Sequence, residues 1–306
     1  MTASAPAPAR SAAPPAAPGA RRRPAPAGPK ARTKILVTAV LAVAAVYFLV
    51  PVYWVFVAAT KSTPDLFGTF GFAPAEWNLG ANLHQVLSSN DGIFLRWSLN
   101  SLLYSVVGGL GATLLSAAAG YAMAVYDFRG RRLLFGVILG GVMIPGTATA
   151  LPLFLLFSQI GLADTYWAVL LPGLVSPFGL YLCRIYAEAS VPASVIESGR
   201  VDGAGELRIF FAFGLRMMTP ALVTVFLFQL VAIWNNYFLP LVMLADERLY
   251  PITLGLVTWQ SYQGRDTDMY MQVVVGSMLS VVPLAAAILV LQRFWRGGLT
   301  EGAVKG

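Results

Sequence analysis

Side chains able to do covalent or metal chemistry are scarce in this sequence. Its 306 residues include one cysteine, Cys183, and one histidine, His84. A single cysteine closes no internal disulfide, and a single histidine does not anchor a metal cluster. A Ser–His–Asp arrangement would have only His84 as its base, and no serine lies in a G-x-S-x-G elbow. The phosphate-cradling G-x-x-x-x-G-K-[ST] loop is also missing. These residues predict a chain that is not an enzyme, has no catalytic residue, and binds no metal or cofactor of its own. Acids and bases do mix closely in one place. Glu197, Arg200, Asp202, Glu206 and Arg208 fall within twelve positions of the stretch VIESGRVDGAGELRIF, residues 195–210. Charged groups on a segment punctuated by glycines suit contact with another protein better than they suit catalysis.

Around that stretch the chain is mostly apolar. Hydrophobic residues make up 57% and charged residues 11%, and the charged share is about half that of an ordinary soluble domain. Too little charge is present to cover a water-facing surface, so the expected solvent is a lipid bilayer. A helical span needs about 20 apolar residues. Six uncharged runs qualify: Ile35 to Ala59, Trp97 to Tyr126, Leu133 to Phe157, Thr165 to Cys183, Met217 to Ala245, and Met269 to Gln292. The fourth is the shortest and holds Pro172 and Pro177. The predicted fold is all-α: a polytopic membrane bundle of six transmembrane helices. No run holds an ionisable residue, whereas proton relays and most ion-coupled carriers place one at membrane depth. Sodium can bind to backbone carbonyls at broken helices, so a sodium-coupled secondary carrier stays as a distant alternative.

Lys and Arg set the orientation. The N-terminal tail, the second and fourth gaps and the C-terminal tail hold all of the 21 except Lys61, Arg96, Arg248 and Arg265. Both termini are therefore expected in the cytoplasm, in a bacterial plasma membrane. This asymmetry accounts for the net charge of +7 without a nucleic-acid partner. Residues 1–34 form an Ala/Pro-rich basic tail with almost no large apolar residue, which predicts disorder. Residues 35–306 form the membrane domain.

The charged stretch falls in the fourth gap, about residues 188–216, on the cytoplasmic side. Pro192 suits the first turn of a helix running through Ala193 to Val201. Asp202 is positioned to cap a second helix, and Gly203 and Gly205 allow a sharp turn. The expected element is a protruding helix–turn–helix, with Glu206 on a solvated face.

At this point the sequence resembles the permease subunits of ABC importers, specifically the smaller, maltose-type sugar permease. That family carries a cytoplasmic E-A-A-x-x-D-G-A loop, matched here by Glu197-Ser198-Gly199-Arg200-Val201-Asp202-Gly203-Ala204. Asn100-Ser101-Leu102, Pro152-Leu153, Trp234-Asn235 with Pro240-Leu241, and Gln292-Arg293 before Gly302 to Gly306 extend the likeness. It covers about residues 35–306. Ser198 and Gly199 replace the paired alanines, a change costing a helix roughly 0.5–1 kcal/mol each. Arg216 replaces the family's proline, and Pro220 follows it. The resemblance implies a machine with a second permease subunit, two ATP-binding cassette subunits that use ATP, and an extracellular solute-binding protein. It implies that Glu197, Asp202, Gly203 and Ala204 couple this chain to the ATPase.

The cargo implied is a sugar or oligosaccharide. Sugar sites combine aromatic faces with amide or hydroxyl groups, so Gln229, Trp234, Asn235, Asn236 and Tyr237 of the fifth run are the candidate path residues, with Met143 of the third. Helix packing or an interfacial position accounts equally well for at least half of them. Ser62 to Leu95, with Pro64, Pro74, Trp77 and Asn82, is the outer segment expected to meet the binding protein. Glycerol phosphate or another polyol derivative is the alternative cargo, although a phosphate calls for a basic group at depth that this chain lacks.

Overall fold

The computed structural model describes residues 31–264 and 267–301. The predicted tail up to residue 30, Arg265, and the C-terminal Gly302 to Gly306 lie outside the described residues. Every regular element described is helical. Two compact units divide at residues 50 and 51. The first holds the opening of α1 (Ala31–Ala59), whose described side chains are nearly all exposed. Helix therefore begins at Ala31, within the stretch expected to be disordered.

The second unit continues through α2 (Thr63–Gly68) and α3 (Leu79–Ser88) to α4 (Ile93–Val125). A turn at Asn90, Asp91 and Gly92, all at positive φ, separates α3 from α4. Next come α5 (Arg131–Gly141), α6 (Gly146–Gln159), α7 (Tyr166–Gly173) and α8 (Pro177–Ser190). After α9 (Ala193–Val201), α10 (Glu206–Ile209), a π turn at Phe210–Gly214 and α11 (Leu215–Met217) run on together. The chain ends with α12 (Thr219–Trp234), α13 (Phe238–Met243), α14 (Ile252–Tyr262) and α15 (Asp268–Glu301).

Among the described residues, four helical stretches are long and apolar enough to cross a membrane, and six if each of two bent pairs is one span. The third apolar run is one of these pairs: α5 and α6 meet at 99°. Pro145, which has no N–H to continue the ladder, ends the break, and Gly140-Gly141 precede it. The fifth run also departs from a single rod. It turns by 80° before Thr219 and stops at Trp234, so Met217 to Ala245 is not one helix. Pro220 lies in the first turn of α12, where a missing N–H costs nothing. In the fourth run Pro177 likewise starts α8, and Ser176 Oγ caps it by accepting the Gly179 N–H at 3.0 Å.

Helix α4 is the axis of this unit and packs most extensively on α8 and α12. Small residues make the approach close. A Cβ on Gly179 would lie 2.6 Å from Ser116 Oγ and 2.8 Å from Val225 Cγ1. Between helices in lipid, dispersion contacts of this kind replace the hydrophobic effect as the source of cohesion. An aromatic core forms around the start of α4, where Phe94, Trp97, Trp234 and Trp259 are buried with Met271 and Val275.

Polar groups on α4 pin a distant segment. Trp97 Nε1 donates to the Glu247 carbonyl at 2.8 Å, Asn100 Nδ2 to those of Arg248 and Tyr250, and Tyr104 to that of Leu249. Ser101 Oγ accepts the Ile252 N–H at 2.7 Å. Asn100 and Ser101 thus earn their place as buried partners for otherwise orphaned backbone groups. Lys61, which lies in the gap after the first apolar run, is 1% exposed. Its ammonium donates to Thr69 Oγ1 at 2.9 Å and the Phe70 carbonyl at 2.7 Å.

Candidate functional site

The segment between α8 and α12 is built from a short helix, a glycine turn and a second helix. Gly203 sits at φ +76°, the left-handed region open to glycine at little cost. Its N–H donates to the Arg200 carbonyl at 3.0 Å, and the Ala204 N–H reaches back to the Gly199 carbonyl at 2.9 Å. This pair of bonds is a Schellman termination, which satisfies the last carbonyls of α9. The Asp-Gly-Ala sequence therefore closes one helix. Asp202 is the C-terminal cap of α9, and Gly205, without a side-chain bond, precedes α10. The expectation that Asp202 caps the second helix is corrected: two more residues are needed to complete the turn.

Gly199 also has a structural reason. A Cβ there would stand 3.1 Å from Ile209 Cγ1, and Ile209 is completely buried. The glycine that weakens α9 in isolation lets α9 close on α10. Glu197 lies on the exposed side of α9, with no ion pair or side-chain hydrogen bond among the described residues. Val201 and Leu207 expose apolar side chains at 87% and 76%. A groove of about 480 Å³ between the helices is lined by Ser194, Ser198, Asp202, Ala204, Arg208 and Phe213. Exposed apolar side chains thus lie beside charged ones on this face.

Glu206 is not merely a solvated residue. Its carboxylate accepts from Arg200 Nε at 2.6 Å and from a second Arg200 nitrogen at 3.2 Å, and Tyr126 donates to it at 2.7 Å. The hydrogen bonds from Arg200 and then Tyr126 hold its carboxyl below the usual carboxylate range. Sequence reading missed this hub because the pairing crosses a turn and reaches the end of another span.

The path candidates are distributed unevenly. Trp234 is 4% exposed and belongs to the aromatic core. It can support a site from behind, and it does not offer a free ring face. Asn235 caps α12 and is exposed, its amide donating to the Val231 carbonyl at 2.9 Å. Asn236 Oδ1 accepts the Leu239 N–H at 3.3 Å, and its carbonyl accepts from Thr253 Oγ1. Tyr237 is exposed beside Phe238. These three meet in the break between α12 and α13. Gln229 lies half-buried farther back on α12, and Met143 is 86% exposed in the bend between α5 and α6.

Broken apolar spans, amides at one break and a helix–turn–helix with exposed apolar and charged side chains describe a multi-pass membrane protein. The chain belongs to the family of binding-protein-dependent transport system inner membrane components, matched over residues 109–296. It is 36% identical over 215 residues to the arabinooligosaccharides transport system permease protein AraQ of Halalkalibacterium halodurans, covering 70% of this chain and 76% of that protein. The diacetylchitobiose uptake system permease protein NgcG of Streptomyces coelicolor is 29% identical, with 87% of each chain covered. The lactose transport system permease protein LacG of Rhizobium radiobacter is also 29% identical, over 87% of this chain and 94% of its own length. Among solved structures, a chain from a bacterial ABC transporter involved in the import of the acidic polysaccharide alginate matches with a TM-score of 0.75. At 24% identity, over 89% of this chain and all of that one, it supports the fold. The protein is thus a multi-pass plasma-membrane component of an ABC importer.

Proposed function

We infer that this chain is the permease subunit of an ATP-driven ABC importer for a sugar or oligosaccharide. The observation that carries the reading is the capped helix–turn–helix at 193–209, set between spans in a chain whose relatives are sugar permeases. A second permease completes the path, two cassette ATPases engage Glu197, Asp202, Gly203 and Ala204, and an external binding protein delivers the sugar. ATP is used by those partner subunits. Glycerol phosphate cargo and sodium-coupled carriage are not favoured: arabinooligosaccharides, diacetylchitobiose and lactose are the cargoes named for the relatives.

Two experiments test this reading. The tagged chain is purified from native membranes with its complex, reconstituted, and given labelled arabinotriose, lactose and diacetylchitobiose with its binding protein. ATP-dependent accumulation of a sugar supports the assignment, and uptake by the chain alone on a sodium gradient overturns it. In the same assay Asn235→Ala is expected to slow uptake about fivefold, the worth of one neutral hydrogen bond, with ATPase subunits retained. Unchanged kinetics would leave Asn235 as a helix cap.

The distribution of Lys and Arg supports a cytoplasmic location for both termini and the coupling segment. In a Cys183→Ala background, cysteines replacing Glu76 or Gly264 should react with an impermeant thiol reagent on intact cells, and one replacing Arg129 should not. The reverse pattern overturns this topology.

A further inference from the structure

The coupling segment is continuous with α8 on one side and α12 on the other, yet the most heavily packed helix is α4, with which it shares no chain connection. Two contacts bridge that gap. The first is apolar: Phe210 and Tyr121 have ring centroids 5.1 Å apart, and Gly214 lies so close that a Cβ would stand 2.9 Å from Tyr121 Cε2. The second is polar. Tyr126, which terminates α4, donates to Glu206 at the start of α10, and Glu206 accepts both Arg200 bonds from α9. One carboxylate therefore touches all three elements that would have to move together.

We propose that Glu206 is a positioning residue, a clasp that makes the docking helix α9 and the end of α4 move as one body when the ATPase closes. This deepens the coupling function proposed above and rests on it. The groups are exposed, and ion pairs in water contribute little to stability. The value of the clasp is geometric. A paired guanidinium and carboxylate fix distance and angle together, and a phenol anchors that pair to the span. Without the clasp, α9 stays folded through Gly203 and Ile209 but is free to swing on its short connections. Displacement at the docking surface then reaches α4 only through the sliding apolar contact of Phe210 on Tyr121, and otherwise passes along the chain into α8 and α12.

The test uses the purified full complex in a Cys183→Ala background. Spin labels at Ala193 on α9 and Arg129 beyond α4 report their separation without nucleotide and with Mg·ATP plus vanadate. A second pair, Ala193 with Glu76, reports whether nucleotide moves α9 at all. The unaltered clasp should keep the Ala193–Arg129 distribution narrow in both states. Glu206→Gln and Tyr126→Phe should each broaden it, and the double variant should broaden it no further than either single. Exchanging the charges, Arg200→Glu with Glu206→Arg, should restore the narrow distribution, a rescue that a nonspecific loosening would not give. ATPase subunits should remain attached throughout, and Glu188→Gln, which breaks an ion pair within α8, should change nothing. A distribution that stays narrow in Glu206→Gln and Tyr126→Phe overturns the clasp alone. Loss of the ATPase subunits in Glu206→Gln also overturns it, by assigning the residue to docking. If nucleotide does not move Ala193 relative to Glu76, the coupling reading beneath the proposal falls, and the clasp with it.

Discussion

Replacing Gly203 by valine should abolish transport while the spans still insert and fold. The position has φ +76°, and no atom lies within 4 Å of where a Cβ would be. There is no clash to relieve, so the penalty is purely conformational. A non-glycine residue held in a disfavoured region costs on the order of 1–3 kcal/mol, and a β-branched one fits the left-handed region worst. Nothing larger holds the turn. Relaxing it breaks the bonds from Gly203 to Arg200 and from Ala204 to Gly199, so α9 loses both its C-terminal cap and its direction. Asparagine tolerates the left-handed region, which gives an internal control bulkier than glycine whose backbone still fits the turn. Gly203→Asn should retain ATPase subunits and most uptake, whereas Gly203→Val should retain neither. Glu197→Ala should resemble the valine variant in losing the ATPase, through a lost contact and not through a misdirected helix. Purification of the complex, followed by immunoblotting for ATPase and uptake measurement, separates these outcomes. Normal attachment and uptake in Gly203→Val would show that the turn only joins two spans.

The sequence showed some of this architecture plainly because the signals were one-dimensional. Apolar run length located the unbroken spans, and Pro177, noted within the fourth run, proves to start α8. Gly203 was legible for the same reason: a glycine between charged helical residues signals a turn. Hydropathy carries no direction, so the 99° and 80° bends could not be read from it. Asp202 was assigned to the wrong helix because Asp suits an N-terminal cap, and only the backbone bonds show which helix the turn completes. Glu206 escaped because its partners lie six and eighty positions away, outside the i, i+4 spacing that charge pairing along a helix uses. Trp234 looked like a sugar platform by residue type. Its 4% exposure follows from Phe94, Trp97 and Trp259 arriving from α4 and α14, a convergence that no local window contains. The burial of Lys61 has no local sequence signal, since the Thr69 and Phe70 oxygens that receive its ammonium lie eight and nine positions on.

The second large effect is expected at Gly120, where α4 and α8 meet backbone to backbone. A Cβ there would lie 2.7 Å from the Arg184 nitrogen, 2.7 Å from Cys183 Cβ and 3.0 Å from the Cys183 carbonyl carbon. Overpacked cores often recover by turning a side chain aside, at a cost of about 1–3 kcal/mol. That route is closed here because the atoms in the way belong mainly to the main chain of α8. Gly120→Val must therefore push two helices apart along their most extensive contact, and neighbouring close approaches, such as Gly179 against Ser116 and Val225, would open with it. In lipid nothing compensates, since acyl chains wet the separated faces as readily as side chains do. The protein supplies its own reporter: Cys183 is fully buried at this interface. Membrane-permeant N-ethylmaleimide should leave Cys183 largely unlabelled in the unaltered chain and label it rapidly in Gly120→Val, with the yield of assembled complex sharply reduced. Gly136→Val is the control, because no atom lies within 4 Å of its Cβ position, and its labelling should match the unaltered chain. A Gly120→Val protein that assembles normally with Cys183 still protected would show that α4 and α8 do not approach this closely, and the central packing of the bundle would have to be redrawn.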